Sequence, residues 1–412
     1  MQILYGGRVI DGRGNVMDDA VVTIEDGRIG AIVPCSEFTI PRDGCDVYDA
    51  RNRTVMPGLM DCHTHIQESG RHVEAQTMRE VLPKKAIRAA SHARETLEGG
   101  YTTIRDLGSE LFIDLGLRDA LEEGLVPGPR MLVSSYKIMP TGADFQPFPP
   151  EVQVAGWETM DSPHAVRKAV RHLSAIGVDL IKIMTTGRTF RKQSSPDSVA
   201  LTLEEARTAV EEAHNQGKKV SAHAHGSRGV KMALEAGCDS VEHGTVIDDD
   251  DVETMVRNGV FLVPTMSYSS HVKAMGDACT LPDYVVEKTL KARELRLKSL
   301  ARAVAGGVRI AAGSDAGMPS VYHGDNAYEL MAMVEAGMKP RDVIVAATSA
   351  AAELLGIDDI AGSVTTGKVA DLLVVEGNPE EDVSLLRNRE NIRAIFQSGR
   401  LVIDRGLQLF SE

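Results

Sequence analysis

At 412 residues, with a formal net charge of −14, a pI near 5.4 and no Lys/Arg-rich run, the chain exceeds what one core supports and argues against a nucleic-acid partner. The N-terminal residues Met1 to Gly7 lack a basic segment followed by a long apolar one, and no uncharged apolar run of 18 residues occurs, so a cytoplasmic protein without a membrane partner is expected. Five scattered cysteines, Cys35, Cys45, Cys62, Cys238 and Cys279, form no CxxC pair and read as free thiols.

Residues 1–55 read as short strands broken by turns. Gln2 to Tyr5, Arg8 to Ile10, Ala20 to Ile24 and Ile29 to Val33 alternate with Asp-Gly and Gly-Arg-Gly segments. Residues 362–412 have the same texture, with Asp371 to Val375, Ile392 to Phe396 and Leu401 to Asp404. Neither end alone buries enough to be stable, so the two are expected to pair into one composite β-sandwich domain with the termini close together.

Between them, residues 56–361 alternate apolar strands with helical stretches. Strands are expected to begin near Met56, Tyr101, Arg130, Asp179, Lys219, Ser240, Val260 and Val308, and eight suits a (β/α)8 TIM barrel. Gly99-Gly100, Gly177, Gly217, Gly237, Gly259 and Gly306-Gly307 stand just before strands, where a helix needs a left-handed C-terminal residue. Thr202 with Glu204 and Glu205, and Asp161-Ser162-Pro163, mark helix starts.

The chemistry gathers at the expected C-terminal ends of these strands. In Val55 to His65, two histidines one residue apart share a face if the run is a strand, which offers a pair of metal ligands, although a lone His-x-His is equally a loop feature. Later apolar runs carry Lys182, His223 and His225, His243, and Asp315 in the same relative place. His63, His65 and Asp315 would lie on adjacent strands of a closed barrel and can hold one divalent ion, while His223 and His243 can hold a second. Two ions about 3.5–4 Å apart need an anionic bridge. Lys182 stands between the groups. Its ammonium is either exposed at a strand end or, if buried, neutral enough to capture carbon dioxide as a carbamate.

With these residues the chain resembles the amidohydrolase superfamily, and more narrowly its imidazolonepropionase-like and metal-dependent prolidase or carboxypeptidase branch. The segment Gly362 to Leu372 is similar to the family's return into the terminal domain. The resemblance implies two divalent ions, zinc by expectation, held by His63, His65, His223, His243, Asp315 and an N6-carboxylysine at Lys182. It makes Asp315 both a metal ligand and the proton-transfer group. In His223-Ala224-His225-Gly226 it gives the first histidine to metal and His225 to substrate and catalysis, the inverse order being the alternative. The activity implied is hydrolysis of a C–N amide bond by a metal-bridging hydroxide, on a dipeptide or N-acyl amino acid, in a homo-oligomer. The alternatives are an aryl or xenobiotic amide or carbamate, ochratoxin-type N-acyl amino acids included, or a mononuclear imidazolonepropionase-like cyclic amidase.

Substrate contacts are expected from the cationic loop with Arg188, Arg191 and Lys192, which suits a carboxylate. Tyr136, Tyr268 and His323 are further candidates. The loop Tyr136 to Phe145 lacks the histidine that a Gly-Gly-His segment supplies in peptidase relatives, which favours the aryl-amide alternative.

Overall fold

In the computed structural model, which describes residues 1–71, 80–143, 159–187, 195 and 197–410, both ends of the chain are strands of one sheet. From the N-terminal part come β1 (Gln2–Ile10), β2 (Val16–Glu25), β3 (Arg28–Pro34), β4 (Asp46–Asp49) and β5 (Arg53–Pro57). The barrel-type segment supplies β6 (Leu59–Thr64), β7 (Tyr101–Asp106), β8 (Arg130–Val133), β9 (Leu180–Met184), β10 (Lys219–Ala224), β11 (Ser240–His243), β12 (Phe261–Val263) and β13 (Arg309–Ile310). The C-terminal part returns with β14 (Leu372–Glu376), β15 (Ile392–Gln397) and β16 (Arg400–Asp404).

The terminal sheet runs β16-β15-β14-β5-β1-β2-β3, with β4 also on β1. By hydrogen bonding it is one continuous eight-stranded sheet rather than the two facing sheets of the expected sandwich. Its composite origin follows from the ladder between β14 and β5, in which Val374 stands opposite Val55. The hairpin between β2 and β3 turns at Asp26 and Gly27, both with positive φ, as a two-residue connection between twisted strands requires. The two ends of the chain meet through β4: Asp46 N–H donates to Met1 O at 3.2 Å and Phe410 N–H to Val47 O at 2.7 Å.

The stretch around Met56 departs from expectation. Val55 to His65 is two strands, not one, and Met56 belongs to the terminal sheet within β5. The break is Gly58, where a Cβ would meet the Thr102 side chain at 2.1 Å, so only glycine lets the chain turn from one sheet to the next against β7.

All eight strands from β6 to β13 are parallel and largely buried, as strands covered on both faces should be. This is a TIM-barrel-type α/β arrangement. The ladders divide into β6-β7-β8 and β13-β12-β11-β10-β9. Individual hydrogen bonds span both seams: Cys62 N–H donates to Ala312 O at 2.9 Å and Asp315 N–H to His63 O at 2.8 Å on one side, and Ile138 N–H to Lys182 O at 2.8 Å on the other.

Eleven described helices cover the strands: α1 (Leu82–Glu98), α2 (Ile113–Glu122), α3 (Pro163–Ala175), α4 (Leu203–Asn215), α5 (Ser227–Ala236), α6 (Asp249–Asn258), α7 (Ser267–Met275), α8 (Asp283–Ala305), α9 (Tyr328–Glu335), α10 (Pro340–Ala346) and α11 (Ser349–Leu355). Their ends follow the sequence signals. Thr202 and Glu205 form a reciprocal capping box on α4, the Ser162 hydroxyl accepts from Ala165 N–H at the start of α3, and Gly237 and Gly259 close α5 and α6 in the left-handed region. The result aims the C-terminal ends of β6, β9, β10, β11 and β13 at one cavity.

Candidate metal centre

That cavity is lined by His63, His65, Lys137, Lys182, Met184, His223, His225, His243, Tyr268, Arg296, Asp315 and Met318. Two sets of donor atoms converge within it. The ligand atoms of His63, His243 and Asp315 lie within 4.8 Å of one another, as do those of His223, His225 and His243. His243 belongs to both groups. His65 Nε2 approaches Asp315 Oδ1 at 3.3 Å, and His63 Nε2 reaches the same oxygen at 3.5 Å.

Each imidazole is turned by a hydrogen bond on its other nitrogen. His63 Nδ1 stands 2.8 Å from Glu242 Oε2, His65 Nδ1 3.2 Å from Gly108 O, His225 Nδ1 2.8 Å from the Thr245 hydroxyl and His243 Nδ1 2.6 Å from the Thr265 hydroxyl. In these four the Nε2 atom is left for the cavity. His223 is reversed: Nε2 lies 3.4 Å from Gly187 O, and Nδ1 faces His243 Nε2 at 2.9 Å. His223 and His225 therefore both present a nitrogen, and His225 stacks on His243 with ring centroids 4.5 Å apart.

Burial decides the protonation states. It lowers His63 to about 4 and His225 to about 3, and takes His243 well below its ordinary value, so these rings are neutral and ligand-ready at neutral pH. For Lys182 burial again dominates, helped by the cations Arg105 and Lys137 against Glu242 and Asp315, and lowers the amine to about 7. For Asp315 burial pushes upward, but His63, His65 and Lys182 together pull further down, and the carboxyl ends below the ordinary carboxylate range. Backbone strain marks the same places: His243, Thr265 and Asp315 all sit at positive φ (71°, 47° and 61°) just where strands hand over to loops.

The donor set suits a divalent ion: imidazole nitrogens, a carboxylate, and a Lys182 Nζ that is fully buried with no hydrogen-bond partner among the described residues. A model of the amidohydrolase family matches residues 54–402. The chain belongs to the amidohydrolase family. As an amidohydrolase it is an enzyme of the hydrolase class that acts on amide C–N bonds. It is similar to ochratoxinase from Aspergillus niger, 29% identical over 434 residues covering 100% of this chain and 88% of that protein. A solved Xaa-Pro dipeptidase with bound methionine in its active site is 34% identical, with a TM-score of 0.88 over 97% of this chain and 99% of that one. Imidazolonepropionase from Symbiobacterium thermophilum is 24% identical over 434 residues, covering 96% and 94%.

The amidohydrolase cavity brings together His63, His65, Lys182, His223, His225, His243, Asp315 and Tyr268 from the sequence reading. It does not bring in His323, whose Nε2 lies 3.2 Å from His65 O and 3.1 Å from Glu68 O and whose ring stacks on His92 at 4.3 Å. That histidine bonds the turn after β6 and is not among the described residues that line the cavity. Tyr136 is likewise not a lining residue; it packs on the barrel core beside Phe112. Arg188, Arg191 and Lys192 lie outside the described residues.

Sequence reading missed the supporting carboxylate, Glu242. It is fully buried and accepts from Arg105 Nη2 at 2.8 Å and from the hydroxyls of Ser221 and Ser240 at 2.8 and 2.6 Å, besides His63. Burial pushes its carboxyl up, but Arg105, His63 and Lys182 outweigh that and hold it well below the usual range. Its position directly before His243 was the available signal. Asp61 was missed as well: Oδ1 accepts from His63 N–H and Ser314 N–H, both at 3.0 Å, which ties β6 to the loop that carries Asp315.

Proposed function

We propose that this amidohydrolase is a binuclear metal enzyme that splits the amide bond of a dipeptide or N-acyl amino acid. The observation that carries the reading is the Lys182 amine: buried, partnerless among the described residues, and surrounded by His63, His65, His223, His243 and Asp315. In this reading His63, His65 and Asp315 hold one ion and His223 and His243 the other, with zinc as the metal. Nζ of neutral Lys182 would add to the carbon of carbon dioxide, forming a C–N bond as one C=O π pair moves onto oxygen and an N–H proton passes to water. The resulting carbamate would add an anionic oxygen donor group between the two sets of ligands.

Divalent ions bound there supply a Lewis acid for the carbonyl and a water acidified to hydroxide at neutral pH. The remaining work falls to this chain's own groups. Asp315, kept ionised, takes up a proton at a carboxylate oxygen and delivers it to the leaving nitrogen, which must be protonated to depart. His225, neutral, donates to the oxygen on which charge develops in the tautomer where Nδ1 accepts from the Thr245 hydroxyl and Nε2 carries the proton. Glu242 and Thr265 hold His63 and His243 in the tautomer that leaves Nε2 available.

The similarity to a Xaa-Pro dipeptidase supports the dipeptide reading. The second reading, an aryl N-acyl amino acid, is favoured by the match to ochratoxinase across the whole chain and by a loop after β8 without histidine in residues 136–143. A screen of metal-loaded protein against dipeptides, N-acyl amino acids, aryl amides, lactones and imidazolonepropionate tests both; turnover confined to lactones or imidazolonepropionate contradicts them. A cytoplasmic homo-oligomer completes the reading. No helix among the described residues is long and apolar enough to cross a membrane.

A further inference from the structure

Three arginines among the described residues are buried: Arg105, Arg293 and Arg296. Two of them have a carboxylate at hand, Arg105 with Glu242 at 2.8 Å and Arg293 with Glu335 at 2.7 Å. Arg296, on α8, has no carboxylate in contact among the described residues; the carboxylates that act on it from farther off are Asp315 and Glu329. Its Nη1 donates to Thr265 O at 2.7 Å and its Nη2 to the Thr245 hydroxyl at 3.4 Å, while Nε has no partner among the described residues. It is 5% exposed, and it lines the cavity beside His225, His243 and Asp315.

A buried charge with no carboxylate in direct contact is costly, and Asp315 and Glu329 offset that cost only in part, since burial remains the largest influence on Arg296. Burial lowers Arg296 to about 10, so it remains a cation at neutral pH. A guanidinium offers five donors, and among the described residues two are used, both on neutral oxygens. The two threonines it braces are those that orient His225 and His243, which fixes the guanidinium relative to the reacting atoms.

We propose that Arg296 anchors a carboxylate of the substrate, making this site selective for amides whose nitrogen belongs to an amino acid with a free α-carboxylate. The assignment rests on the hydrolase reading above and deepens it by naming the group that is recognised. It also gives that role to a helix position bonded to the segments after β11 and β12, in place of the loop at Arg188. A carboxylate seated on Arg296 holds the scissile amide at a fixed distance from Asp315 and the histidines, which is how remote binding serves the chemical step.

The test compares kcat/KM for N-acetyl-L-amino acids with that for the corresponding N-acetyl-L-amino acid methylamides, reading acetate release, in wild type, Arg296→Gln and Arg296→Lys holoenzyme. Gln keeps a donor for Thr265 O but not the charge; Lys keeps the charge. Wild type is expected to favour the free acids by roughly ten- to a hundredfold, the size of a lost hydrogen bond to a charged group. Arg296→Gln brings that ratio near one, and Arg296→Lys retains a substantial part of it. If Arg296→Gln lowers both substrates by the same factor and leaves the ratio intact, Arg296 only braces the threonines and the assignment falls. A wild type that shows no preference for the free acids also overturns it while leaving the hydrolase reading standing. If wild type cleaves neither member of any pair, that reading fails and the anchor with it.

Discussion

His63 and Glu242 meet at 2.8 Å in a site where both side chains are buried, and the carboxylate is held ionised by Arg105 on its far side. The relay runs Arg105, Glu242, His63, cavity. Glu242→Gln removes the charge that fixes the His63 tautomer while keeping the shape. The expected result is a 10- to 100-fold weaker hold on metal, roughly the effect of losing a group that orients a ligand, measured by chelator competition.

Asp315→Asn keeps the size of the side chain but removes its basicity. Turnover should fall by about 10²- to 10⁴-fold, the range of a lost general base, with protein of unchanged secondary structure by circular dichroism.

Lys182→Ala should empty at least one metal site. Because the carbamate is a small adduct on the amine, short carboxylic acids added to that variant should restore part of the activity; unchanged metal content and turnover would make the lysine purely structural. The same residue gives a pH signature in metal-free, uncarboxylated protein. Its folded value is about 7 against 10.5 unfolded, so between those two pH values the unfolded chain binds more protons than the folded one. Stability therefore rises with pH across that window, and denaturant midpoints for Lys182→Met should lack this rise.

Gly313 packs the Asp315 loop against β6: a Cβ there would meet Val263 Cγ1 at 2.5 Å and His63 Cβ at 2.8 Å. Gly313→Ala should lower stability by about 1–3 kcal/mol, the usual cost of overpacking, and reduce turnover along with it, read by thermal melts and steady-state rates.

Much of this was legible in the sequence because the signals are local. The alternation of His63 and His65, the left-handed glycines before strands and the Thr202 capping box depend on neighbours within a few residues. Glu242 and Arg105 were not legible because they meet across 137 positions, and Arg296 reads as one more cation on a long polar helix. The place of His323 outside the cavity lining was not legible, because nothing local distinguishes a ring that bonds backbone carbonyls from one that faces a cavity. The continuous apolar run Val55 to His65 hid a handover between sheets, although Pro57-Gly58 marks the place.

In the proposed mechanism the cavity of His63, His65, Lys182, His223, His243 and Asp315 works by holding two metal ions. Elemental analysis of fully active protein, coupled to activity during chelation and zinc readdition, tests it most directly. Two divalent ions per chain are expected, with loss of activity as they are withdrawn and recovery as they return. One ion per chain at full activity, or activity that survives their removal, would contradict it.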